Sequence, residues 1–161
     1  MTSTLEFLSF WGKARPASEQ GPAWHPLVYH CLDVAATAQE YLRRRPRLLA
    51  ELAQAFKLGS AEALAWTSFL AGAHDLGKFH PCFVAKQPEL FRAIFPGRAL
   101  PDASANPHPA VGLTSLLQYL HARWYQDMDF EDEFVEFIEP VANAAAGHHG
   151  RPQSLDAVTL G

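Results

Sequence analysis

The chain's 161 residues are enough for one domain, which would bury about 70% of the surface exposed by its unfolded form. Hydrophobic residues make up 48% and charged residues 19%, the profile of a soluble globular protein, and no apolar run approaches the roughly 20 residues of a membrane span. A net charge of −4 excludes a surface that grips nucleic acid by charge all round, while leaving room for a local basic groove. Met1 to Phe10 lacks a basic region and carries Glu6, so it does not read as a signal peptide. Cys31 and Cys82 are too few for a disulfide framework, and a reducing cytoplasm is the expected location.

Up to Pro26 the sequence reads as an extended loop rich in Gly and Pro, tacked onto the core by Phe7, Phe10, Trp11 and Trp24. From Leu27 the apolar residues Cys31, Val34, Ala35, Ala38 and Leu42 recur at helical steps. Arg43 to Arg45 suit that helix's C-terminus, with Pro46 as its stop. Leu48 to Leu58 predicts a second helix capped by Gly59. Ser60 then opens a third, almost wholly apolar helix that runs into His74-Asp75 and ends near Gly77.

Short helical pieces are expected over Pro81–Lys86 and Pro88–Phe95, then a loop from Pro96 to Pro107. Pro109 suits the first position of a helix reaching about Tyr125. An acidic connector, Asp127 to Glu136, leads to a last helical region that Pro140 should break or kink before Ala142 to His149. No stretch alternates as a strand would, so the fold class is all-α, and residues 1–161 form a single domain.

The chemistry concentrates in histidines. His74-Asp75 offers an imidazole nitrogen and a carboxylate oxygen to one metal ion, and His148-His149, between Gly147 and Gly150, offers two more nitrogens. An uncompensated Asp75 at the end of an apolar helix would be costly to bury; a cation is one remedy, and water access at the helix end is the bland one. Gly77 permits a close turn, and Lys78 can reach an anionic phosphate oxygen or simply be solvated.

A lone helix histidine such as His30 is more often structural than a ligand, but the other histidines raise its standing. Asp33, one turn on, is placed to orient its imidazole. The rigid prolines at 107 and 109 would aim His108, or merely mark a helix start. His25 is a candidate to line the cleft, His80 reads as a turn residue and His121 as surface. No His-Glu-x-x-His, phosphate loop or Gly-x-Ser-x-Gly elbow competes.

Taken in order, His30, His74-Asp75 with Gly77-Lys78, His108 and His148-His149 resemble the HD superfamily of metal-dependent phosphohydrolases. The blocks Phe10-Trp11-Gly12-Lys13, Tyr29-His30-Cys31-Leu32-Asp33-Val34-Ala35-Ala36 and His108-Pro109-Ala110-Val111-Gly112-Leu113 extend the likeness. They are similar to the N-terminal HD nuclease domain of CRISPR-associated helicase–nucleases, in flavour the type I-E form.

The resemblance implies a helical HD domain that hydrolyses phosphodiester bonds of single-stranded DNA in antiviral defence. It implies two divalent ions held by His30, His74, Asp75, His108, His148 and His149, with Asp75 bridging and Lys78 neutralising phosphate charge. Such His-rich ligation favours manganese, iron, cobalt or nickel over magnesium. The implied partners are the Cascade surveillance complex and helicase domains that this sequence does not contain. The family pattern carries a further aspartate beyond the His-His pair. Asp156 is the only acidic residue downstream here and lies close to that pair, so the resemblance implies a domain truncated before its last ligand. A nucleotide phosphohydrolase, or an inactive fragment that binds Cascade, are the alternative readings.

Overall fold

A computed structural model describes residues 6–14, 20, 24–124 and 139–147. Within them the chain is all-α apart from one two-stranded ribbon. The expected N-terminal loop is corrected here: a 3₁₀ turn (Glu6–Ser9) leads into β1 (Trp11–Ala14), which pairs antiparallel with β2 (Trp24–Pro26). Strands this short, set among Gly and Pro, leave no alternating pattern to read.

The ladder pairs Trp11 with Pro26 and then Lys13 with His25, so Gly12 is an extra residue in β1. The ribbon is tied to the helical body by the Leu27 N–H, which donates to the Phe10 carbonyl at 2.7 Å.

The first helix, α1 (Leu27–Arg43), follows the expected periodicity. Pro46 does not only stop α1. It is the first residue of α2 (Pro46–Ala55), where its missing N–H has no partner to lose. Helix α2 ends through Lys57, whose φ of 52° lets the Leu58 N–H reach the Ala53 carbonyl at 2.9 Å.

Gly59 therefore serves the next helix, α3 (Ser60–Ala73), as its N-cap: its N–H donates to Glu62 Oε2 at 2.9 Å. Helix α3 stops at Ala73, short of the expected Gly77. A separate 3₁₀ turn, Leu76–Phe79, follows with Asp75 at its head. Two short helices, α4 (Pro81–Val84) and α5 (Pro88–Ile94), and the loop up to Pro107 agree with the sequence reading.

Helix α6 (His108–Trp124) begins one residue before Pro109. In α7 (Glu139–Ala146) the described helix runs from Pro140 through Ala142 to Ala146, and the residues before Glu139 lie outside the described ones. The acidic stretch Asp127–Glu136 lies outside the described residues.

Leu70 and Ala73 of α3, Leu113, Leu116 and Leu120 of α6, and Ala142 and Ala146 of α7 form the main core. A second cluster, Val84, Ala85 and Phe91, takes Phe10 from the N-terminal segment as a lid. Helices α1 and α3 pack closely because Gly72 presents no side chain: a Cβ there would lie 3.1 Å from Ala35 Cβ. No described helix is long and apolar enough to cross a membrane.

Candidate metal centre

Asp75 is 1% exposed, and three side chains converge on one of its oxygens. His30 Nε2 lies 3.1 Å from Oδ2, His74 Nε2 3.1 Å and Lys78 Nζ 2.7 Å. His108 Nε2 approaches the other oxygen, Oδ1, at 3.6 Å. The first turn of α1, the C-terminus of α3, the 3₁₀ turn and the N-terminus of α6 thus each supply one part.

That convergence depends on a close backbone crossing. A Cβ at Gly77 would overlap the His108 carbonyl oxygen and lie 2.7 Å from Gly112 N, so only glycine lets the 3₁₀ turn lie against α6. At Gly12 a Cβ would come within 2.9 Å of His30 Cβ, so the bulged strand also crosses α1 closely. At the bulge, Lys78 Nζ donates to the Gly12 carbonyl at 3.0 Å. His108 is backed by the Phe83 ring at 5.1 Å, which in turn rests on Trp11 at 4.6 Å.

The electrostatics follow from these contacts. Burial alone would raise the Asp75 pKa, but hydrogen bonds from His74 and Lys78 outweigh it and hold the carboxyl well below its usual range. His74 is pushed up, chiefly by its hydrogen bond to Asp75. His30 is pushed down, because burial outweighs the attraction of Asp75, and its neutral, ligating form is favoured. Burial and the same carboxylate push the Cys31 thiol up to about 11, so it stays protonated.

His74 tests whether these residues suit a cation. Its Nδ1 is 2.8 Å from the Ala71 carbonyl, which can only accept, so Nδ1 carries the proton. In the neutral ring Nε2 is then a lone pair facing a carboxylate oxygen 3.1 Å away. Two acceptors at that distance need positive charge: a second proton on the ring, or a cation between them. A backbone carbonyl fixing the far nitrogen is also the usual support for a metal-binding imidazole. Donor atoms of His30, His74 and Asp75 lie within 4.8 Å of one another, which suits one ion. The residues fit a divalent metal.

The structure brings together His30, His74, Asp75, Lys78 and His108. His148, His149 and Asp156 lie outside the described residues. The expectation for Asp33 is corrected: its Oδ2 accepts from His25 Nε2 at 3.0 Å, not from His30, because its exposed position on α1 faces β2. His80 is more than a turn residue, since its Nδ1 accepts from the Cys82 N–H at 3.2 Å and caps α4. His121 is exposed, as expected. Sequence reasoning missed the Gly12 carbonyl and the Trp11–Phe83 support. The Phe-Trp-Gly-Lys run was the one available signal, and its role depends on a bulge that no local pattern announces.

A family model described as "Cas3, HD domain" matches residues 11–159. The chain is similar to the CRISPR-associated endonuclease/helicase Cas3 of Escherichia coli strain K12, with 28% identity over 152 residues. The alignment covers 88% of this chain and 17% of that protein. It is also similar to the CRISPR-associated endonuclease/helicase Cas3 of Thermus thermophilus, 43% identical over 79 residues, covering 48% of this chain and 8% of the relative. The chain therefore spans less than a fifth of either relative. No solved structure matches it significantly. With nearly its whole length matched, the chain belongs to the Cas3 HD-domain family.

Proposed function

We propose that the chain is a metal-dependent nuclease domain that hydrolyses phosphodiester bonds of single-stranded DNA in CRISPR interference. The observation that carries this reading is the convergence of His30, His74 and Lys78 on one buried oxygen of Asp75, with His108 at the other. Family membership and the names of the relatives support it.

In this reading His30, His74, Asp75 and His108 hold divalent ions, and His148 and His149 complete the set. Bound there, such ions supply an acidified water and offset charge on the phosphate. His-rich donors favour manganese, iron, cobalt or nickel over magnesium. Asp75 would supply the carboxylate of that set. The Ala71 carbonyl keeps His74 in the tautomer whose Nε2 would be turned to a bound ion, and Phe83 backs the His108 ring. Lys78, held by Asp75 and the Gly12 carbonyl, keeps an ammonium at the edge of the cluster, where it can neutralise phosphate charge. The Cascade surveillance complex and the helicase part of longer relatives are the proposed partners.

The test is cleavage of single-stranded DNA in manganese or nickel. The wild type is expected to cut, and His74→Ala or Asp75→Ala to lose more than the roughly 10–100-fold that removing a mere supporting partner of a metal ligand costs. Undiminished cleavage by both variants would refute the reading. Phosphate release from mononucleotides with DNA left intact would favour an HD nucleotide phosphohydrolase instead.

A further inference from the structure

Beside the Asp75 cluster stands a group of rings outside the proposed ligand set. The His25 ring meets the His30 ring edge-on, 6.4 Å between centroids at 86°. The Tyr29 ring lies 6.4 Å from His25 at 44°. Tyr29 is 50% exposed, and Leu32, one turn along the same face of α1, is 60% exposed. Continuing inward, the His74 ring is 5.2 Å from His30. A row of rings therefore runs from solvent to Asp75.

Asp33 fixes the outer part of this row by accepting from His25 Nε2 at 3.0 Å. The two side chains are 45% and 72% exposed, and a pair so open to water adds little to stability. What it does is hold the plane of the imidazole. The ladder places Lys13 opposite His25, and Lys13 is exposed, so a positive charge stands beside the rings. Exposed aromatic surface, a fixed ring and a neighbouring ammonium are what a single-stranded nucleotide chain needs. Each of its bases offers a π-face, and its backbone carries negative charge.

We infer that Tyr29 and His25 form a stacking shelf for a nucleobase flanking the phosphodiester held at the Asp75 cluster. The inference rests on the nuclease reading and adds a positioning role for two residues outside the metal set. Stacking is indifferent to base identity. It does require a base free on at least one face, which a duplex does not offer, so the shelf selects for single strands.

The full chain is assayed with manganese on two oligomers of equal length: oligothymidylate, and its abasic counterpart with the same backbone and no bases. The wild type is expected to show a KM about tenfold lower for the base-bearing oligomer. Tyr29→Ala should raise that KM about tenfold and leave the abasic KM where it was, whereas Tyr29→Phe keeps the preference. Equal KM values for the wild type on both oligomers overturn the shelf alone, as does a preference that survives in both Tyr29→Ala and His25→Ala. Failure of the wild type to cut either oligomer overturns the nuclease reading and the shelf with it. Manganese stoichiometry is measured for each variant and expected to match the wild type. A Tyr29→Ala that loses manganese along with the preference would make the ring a structural support and overturn the inference.

Discussion

Asp75 stays ionised while almost wholly buried because His30, His74 and Lys78 all face its Oδ2. Removing the carboxylate leaves an ammonium and an imidazole turned toward each other with no counter-charge. Asp75→Ala is therefore expected to destabilise the metal-free protein by about 3–5 kcal/mol, as breaking one side of a buried pair does. Chemical denaturation in chelator checks it, and an Asp75→Ala at least as stable as the wild type would mean the contacts contribute nothing net.

His80 gives a separate pH test. Burial pushes it below 6.5, and its neutral Nδ1 is needed to accept the Cys82 N–H. Its folded value is depressed, so its contribution is present above about pH 6.5, the unfolded value, and is lost as pH falls through the folded one. His80→Asn keeps a capping acceptor without a proton to gain. Its stability should fall less than that of the wild type between pH 7 and pH 5, and parallel curves would refute the role.

At this scale the sequence is most informative about which residues carry chemistry and least informative about their partners. The His-Asp pair at the end of an apolar helix is legible because buried charge needs compensation. The pairing of Asp33 with His25 is not, because spacing along α1 shows only which face a residue shares, and β2 has no signature of its own.

Among the elements, the turn Leu76–Phe79 lying on α6 sets the distance between Asp75 and His108. Both obstacles to a Cβ at Gly77 are backbone atoms, which cannot swing aside. Gly77→Ala is thus expected to cost about 3 kcal/mol, the upper range for overpacking. Gly97, with φ of 77° and open space around it, should cost only about 1–2 kcal/mol as Gly97→Ala. Thermal unfolding of the two variants checks the order, and a larger loss at Gly97 would contradict it.

The long helices are legible because α1 and α6 each repeat apolar residues at three- and four-residue steps. Punctuation is less so. Pro46 looks like a stop in the sequence and is a start in the fold, since a proline is tolerated in a first turn as readily as it ends a preceding helix. Gly59 looks like the close of α2, yet Lys57 takes the left-handed conformation and Gly59 opens α3. The ribbon escapes a sequence reading because its ladder joins segments separated along the chain, and pairing of that kind leaves no local trace.

Across the whole molecule, α3, α6 and α7 form a core of leucines and alanines that holds the donor-bearing helix ends in place. The N-terminal ribbon closes the side where Lys78 and His30 meet it. The Cas3 HD-domain family match over residues 11–159 agrees with this architecture. The central claim is that Asp75 and its surrounding histidines hold divalent metal. The direct measurement is equilibrium binding of manganese to the chain and to His74→Ala. The account predicts at least one ion per wild-type chain and, for loss of a ligand, an affinity weakened by more than the roughly 10–100-fold that loss of a supporting partner costs. Fewer than one ion on the wild type, or equal binding by His74→Ala, would contradict it.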